Sequence, residues 1–294
     1  AFLLFSVLGD VLMPVFVALV LAYLMQGVAN QLQKWGLSRE LALAGSTLIF
    51  VGVFFGFTLG VAPLAWRQFE GLIREAPAMM AAVQIQIEEI IARYPLVIEQ
   101  APITEMLSSL QGQVASMGQA LVGFGLASIP GVLTFAIYLV LIPLMVFFFL
   151  KDREQLMTWA LSFLPSERPA LDQIGRDVNV QIANYVRGKG IEIAIMGALS
   201  YVGFAAFGLN YTALLALLVG LSVIVPYIGA FLVTIPVVLV AFFQFGLMSH
   251  FYWVVGFYML IQVLDGNILV PVLFSEAVDL HPVAIIIAVL IFGG

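Results

Sequence analysis

Apolar residues run along this chain in long blocks, with polar stretches between them. Ala1 to about Met25 is the first block, interrupted by Asp10 and Pro14. Gln26 to Glu40 is polar and carries Lys34 and Arg39, and Leu41 to about Trp66 is a second, cleaner block. Leu121 to Leu150 is a third, with Pro130 and Pro143 inside it, and Gly190 to Gly208 is a fourth. A helix crosses the hydrocarbon layer with about 20 apolar residues, so each block predicts a membrane span. Proline inside a span is tolerated where neighbouring helices satisfy the freed carbonyls.

Two stretches break this pattern. Residues 67–118 hold Arg67, Glu70, Arg74, Glu75, Glu88, Glu89, Arg93, Glu99 and Glu105, with Pro77, Pro95 and Pro102 as punctuation. Val83, Ile87, Ile90 and Tyr94 recur there at helical spacing, which predicts short amphipathic helices outside the membrane. The segment is too small to rely on a core of its own. Lys151 to Lys189 is the second polar stretch, broken by the run Leu-Pro-Ser-Glu-Arg-Pro at 164–169. Beyond it Leu171, Ile174, Val178, Ile182 and Tyr185 form one apolar stripe, the mark of a membrane-surface or docking helix.

The last third is cut into shorter pieces: Tyr211–Val225, Ile228–Phe245, Phe251–Leu264 and Pro282–Ile291. The first two are short for spanning and are separated by Pro226-Tyr227. Such pieces form either a re-entrant hairpin lining protein or water, or two helices joined by a tight turn. The expected organisation is a pair of membrane helices over 1–66, an extracytoplasmic helical insertion over 67–120 and a third membrane helix over 121–150. Cytoplasmic surface helices follow over 151–189. A C-terminal membrane core covers 190–294, its helices broken around 226–229 and 265–271. The fold class is all-α and polytopic, with about seven or eight membrane helices, some short or re-entrant in the C-terminal third.

Composition supports this class and excludes others. Hydrophobic residues make up 63% of the 294 positions and charged residues 10%, and the mean hydropathy is +1.13. A soluble domain carries about 25% charge, so this surface could not be solvated. The net charge of −6 argues against nucleic-acid partners. There is no cysteine, which removes thiolate metal sites and thiol nucleophiles. Lys34 and Arg39 lie in the first loop, Arg67, Arg74 and Arg93 in the second, and Lys151, Arg153, Arg168, Arg176, Arg187 and Lys189 in the third. The positive-inside rule therefore puts the first and third polar stretches in the cytoplasm and 67–118 outside. No Lys or Arg follows Lys189. The chain opens without a basic n-region or a small-residue cleavage site, so no signal peptide is expected. Both ends fall in apolar runs, and a longer native chain is expected.

Ionisable groups at membrane depth are expensive and default to function. Four carboxylates occur in the last third: Glu192, Asp265, Glu276 and Asp279. Asp265 is the leading candidate, the alternative being an interfacial loop cap near a helix end. It ends the run Phe251–Leu264 and shares a helix face with Gln262, while Asn267 and Pro271 follow. Carboxylate and amide oxygens suit a proton, a hard cation or a hydroxylated solute. The expected binding set is Asp265, Gln262 and Asn267 beside the break at Pro226, Tyr227 and Gly229. Glu192 follows Arg187 and Lys189 and reads as a cytoplasmic-edge ion pair. Glu276 and Asp279 read as interfacial, His250 as an interfacial cap and His281 as a structural hydrogen-bonding group. Two histidines without an HExxH pattern give no transition-metal site, and no GxxxxGK loop or GxSxG elbow is present, so neither a cofactor nor an enzyme is expected. Gly52, Gly56 and Gly60 line one face of the second span, where a helix backbone can approach closely.

Several short motifs occur in order along nearly the whole chain. They are Pro14 with Ala22-Tyr23-Leu24, then Leu37-Ser38-Arg39, Phe149-Leu150-Lys151-Asp152-Arg153 and Tyr185-Val186-Arg187-Gly188. Gly208-Leu209-Asn210-Tyr211, Pro226-Tyr227-Ile228-Gly229 and Pro236 follow, then Asp265-Gly266-Asn267, Pro271, Leu280-His281-Pro282 and Gly293-Gly294. In this the chain resembles the autoinducer-2 exporter family of bacterial membrane proteins, the PerM-like permeases. It departs from the family in having Gln26-Gly27 where a proline is common, and Asp265 where glutamate is common. The resemblance implies a bacterial inner-membrane secondary transporter that exports a small solute such as autoinducer-2 or exchanges cations for protons. It also implies a homo-oligomeric ring, a pentamer being the expected size. A gated ion channel or pore is the alternative reading, and a non-transporting membrane scaffold a weaker one.

Overall fold

A computed structural model of the chain describes residues 2–93, 128–163 and 169–274, with positions 109, 112 and 116 between them. The described residues are helical throughout, with no strand. The helices are α1 (Phe2–Lys34), α2 (Arg39–Gly56), α3 (Ala62–Arg93), α4 (Ser128–Lys151), α5 (Arg153–Leu161), α6 (Pro169–Ala206), α7 (Thr212–Ser222), α8 (Ile228–Phe245), α9 (Ser249–Leu264) and α10 (Val270–Phe274). Among the described residues six stretches of helix are long and apolar enough to cross a membrane, and α7 is a further, shorter apolar helix. The chain is therefore an all-α polytopic membrane protein.

Two boundaries read from polarity are not helix ends. A single π-helical turn over Phe57–Val61 joins α2 to α3, so the second span continues as one rod through Trp66 and Arg67 to Arg93. Pro77 sits inside that rod without ending it. Helix α6 likewise runs unbroken through Lys189, so the surface stripe and the fourth span are one 38-residue helix. Polarity changes along these rods because their surroundings change. The backbone needs no break to pass from lipid to water. Ser38 starts α2 as a cap, its hydroxyl accepting from the Leu41 N–H at 3.4 Å.

The helices pack as two groups. In the first, α1, α2 and α4 bury Ala18, Ala22, Phe50, Val146 and Leu150 against one another. In the second, α6 to α9 surround Met196, Phe204, Leu215, Val219, Val237, Val240, Val254 and Tyr258. The groups meet along α1 and α6. There the Tyr23 hydroxyl donates to Asn179 at 2.9 Å, and the Arg187 side chain lies against Gly27.

The α7–α8 hairpin is the element that positions the site. Helix α7 has 11 residues, about 16 Å of rise, against a hydrocarbon layer of about 30 Å. It lies backbone-close on α6: a Cβ on Gly220 would stand 3.0 Å from the Ile193 carbonyl oxygen and 3.2 Å from the Gly197 Cα. Its base is closed by Gln244 of α8, which accepts from the Asn210 N–H at 2.7 Å and donates to the Gly208 carbonyl at 2.6 Å. The base is also tied to α3, where Gln68 accepts from the Leu214 N–H at 2.8 Å and the Tyr211 ring covers Gly71. The tip turns at Pro226-Tyr227, where Tyr227 adopts φ 61°, a region a bulky side chain enters only under constraint.

Candidate functional site

Helices α6 and α9 and the turn after α7 converge at the hairpin tip. Helix α6 supplies Lys189 and Glu192, three residues apart and so on one face. Lys189 Nζ donates to Glu192 Oε1 at 3.0 Å, and Glu192 Oε2 lies 2.9 Å from the same nitrogen. The ammonium also donates to the Val223 carbonyl at 2.9 Å. Helix α7 ends at Ser222, so this carbonyl belongs to the run that a helix end leaves open. The Phe274 ring, at the end of α10, covers the ammonium at 5.3 Å. Glu192 is only 1% exposed.

Asp265 stands where α9 gives way to a π-helical turn, Asp265–Leu269. In that wider turn the Val270 N–H reaches back to the Asp265 carbonyl. Such insertions cluster at functional sites because they swing a side chain out of helical register. The Asp265 carboxylate is half-buried and lies within electrostatic reach of Glu192 and Lys189. Its Oδ1 is buried with no hydrogen-bond partner among the described residues. One ammonium thus stands near two carboxylates, hydrogen-bonded to buried Glu192 and within electrostatic reach of half-buried Asp265. That arrangement leaves one negative charge to be met by a proton or a cation.

The other expected site residues are placed as follows. Gln262 does not reach toward Asp265 in a hydrogen bond; its Nε2 donates to the Tyr258 hydroxyl at 2.9 Å. Tyr258 is fully buried, and its hydroxyl lies 3.1 Å from the Thr234 hydroxyl and 3.2 Å from the Ala230 carbonyl. These groups make a polar seam between α8 and α9. Asn267 is turned onto its own helix, donating to the Val263 carbonyl at 2.9 Å. Gly229 is buried against Ser222 in the hairpin, whereas Tyr227 is 91% exposed and Pro226 is exposed beside it. Lys189 is hydrogen-bonded to Val223 at the hairpin and lies within electrostatic reach of Asp265. His250 stacks on Phe245 at 5.6 Å, and Glu276, Asp279 and His281 lie outside the described residues.

The cation within electrostatic reach of Asp265 lies outside the Lys- and Arg-free last third: it is Lys189 of α6, folded back alongside. The spacing of Lys189 and Glu192 carried the ion pair; their burial beneath a helical hairpin could not be read from a single helix.

A family model described as AI-2E family transporter matches residues 1–294. The chain belongs to that family. It is 47% identical over 286 residues to the Escherichia coli K12 protein named "Putative permease PerM", covering 97% of this chain and 81% of that one. The Bacillus subtilis protein named "Putative transport protein YueF" is 25% identical over 96% of this chain and 78% of its own length. "Putative transport protein YrrI" of the same organism is 24% identical over 98% and 80%. This AI-2E family member is thus a multi-pass membrane transport protein, a class that acts on small molecules or ions within the bilayer and is not an enzyme class.

Proposed function

We propose that this AI-2E transporter is a secondary transporter of the bacterial inner membrane that exchanges a proton against a cation or small solute at Asp265. The observation that carries the reading is the buried Lys189–Glu192 pair with half-buried Asp265 in electrostatic reach, a group in which carboxylates outnumber cations. Net charge there is balanced when Asp265 holds a proton or a bound cation, and the two compete for one oxygen pair. Gln262, Tyr258 and Thr234 extend hydroxyl and amide groups along the hairpin from the same level. Export of an autoinducer-2-like solute would use these same groups, since hydroxylated molecules exchange hydrogen bonds with them.

The test is flux into proteoliposomes carrying an internal pH dye. Wild type should show saturable, cation-dependent proton movement. Asp265→Asn keeps shape but no titrating proton, and should abolish that coupling while leaving the protein folded. Unsaturated single-channel currents would instead identify a pore, and absence of any flux a scaffold. Unchanged rate and pH dependence in Asp265→Asn would remove Asp265 from the site.

We also propose a homo-oligomer, the family resemblance pointing to a pentamer. Among the described residues a Cβ placed on Gly52, Gly56 or Gly60 would meet nothing within 4 Å, which leaves this face available to a second copy. Native mass spectrometry in mild detergent should show a multimer, and a monomer alone would overturn the assembly.

A further inference from the structure

A cavity of about 300 Å³ lies between α1, α4 and α5, remote from the hairpin. Its deep wall is apolar: Leu19 and Ala22 of α1 and Phe149 and Leu150 of α4. Its outer wall is the short helix α5, through Leu156, Met157 and Trp159. The polar groups on the α1 wall are already engaged, Tyr23 with Asn179 and Gln26 with Asn30. That leaves Arg153 as the charged group of the lining. Arg153 is exposed and carries no ion pair among the described residues. The neighbouring carboxylate, Glu154, is taken by Arg39 at 2.9 Å.

Position along the helices fixes the depth of this cavity. Phe149 and Leu150 belong to the last apolar turn of α4, and Arg153 begins the polar stretch after it. Helix geometry is interrupted at Asp152, with φ −99° and ψ 17°, and α5 follows as the outer wall of the cavity. Trp159, packed edge-on against Phe163, is exposed, as tryptophan at a headgroup boundary is. By the positive-inside rule this boundary is the cytoplasmic one. Apolar walls below and one unpaired guanidinium above match an acyl chain ending in an anionic headgroup.

We propose that the α1–α4–α5 cavity is a binding site for an anionic phospholipid of the cytoplasmic leaflet, with Arg153 holding its phosphate and the α1–α4 wall its acyl chain. The guanidinium suits this role because it offers paired donors to phosphate oxygens. Occupancy would clamp α5 to the end of α4 and α1.

Trp159 is a built-in reporter. With Trp35, Trp66 and Trp253 changed to Phe, the full chain is reconstituted in vesicles of phosphatidylcholine containing a fixed fraction of brominated lipid. Brominated phosphatidylglycerol should occupy the site with roughly fivefold preference over brominated phosphatidylcholine, the factor one interfacial cation carries. Its quenching of Trp159 should be correspondingly stronger. Arg153→Gln should erase the difference, Arg153→Lys should keep part of it, and Ala160→Leu, which fills the cavity, should weaken quenching by both lipids. Equal quenching by the two lipids in the Arg153 protein would overturn the anionic site. An unchanged preference in Arg153→Gln would overturn the role of Arg153.

Discussion

Lys189→Met should lower the stability of this transporter by about 3–5 kcal/mol, the cost of stranding a buried charge. The variant removes the only ammonium that Glu192 touches among the described residues and leaves the Val223 carbonyl without its donor. Glu192 and Asp265 lie within electrostatic reach of each other, and the variant would leave that repulsion without the Lys189 charge. The hairpin tip would lose its tie to α6 at the same stroke. Thermal unfolding in detergent, followed by tryptophan fluorescence, should show the drop directly. Adding Glu192→Leu to Lys189→Met should recover part of it, because the buried Glu192 charge then leaves with its partner while the Val223 carbonyl stays without its donor. If the single variant unfolds at the wild-type temperature, the cluster is hydrated and its charges are not held by each other.

The second large effect is steric. A Cβ on Gly229 would stand 1.9 Å from the Ser222 carbonyl oxygen and 2.7 Å from its carbon. Both are backbone atoms, so no rotamer change can relieve the clash. Gly229→Val should therefore open the hairpin and cost at least about 3 kcal/mol, at the upper end of overpacking penalties. Gly256→Ala in α9 is the control of opposite sign. Nothing lies within 4 Å of its added carbon, and exchanging a mid-helix glycine for alanine should stabilise by up to about 1 kcal/mol. Unfolding temperatures of the two variants, measured together, check both predictions.

How much of this was legible beforehand depends on what each feature rests on. Spans follow from local apolar content, and α8 has the bounds that the sequence marked, Ile228–Phe245. The break at Pro226-Tyr227 was legible for the same local reason. Close packing was not. The sequence offered the ladder Gly52, Gly56 and Gly60, yet the backbones that touch belong to Gly197 and Gly220, which are isolated in sequence. A regular spacing shows that one helix has a smooth face, but contact needs a second smooth face brought to it by topology. The site divided in the same way. Asp265 stood out because it is a carboxylate in an apolar setting. Lys189 could be paired with it only once α6 and α9 were known to run side by side. Gln262 and Asn267, assigned to Asp265 by spacing, bond instead to Tyr258 and to Val263.

The shortness of α7 bears on how the protein is made. A segment emerging from the ribosome is released sideways into lipid when it alone is apolar over the full thickness of the membrane, and α7 reaches about half of that. Nor can it be oriented by its own flanks, since no Lys or Arg follows Lys189. Helices α7 and α8 must therefore enter as one piece, guided by the already seated α6. Closure by Gln244 on Gly208 and Asn210 then has to wait until synthesis has passed residue 244. Until that moment the nascent chain holds an unfinished half-span.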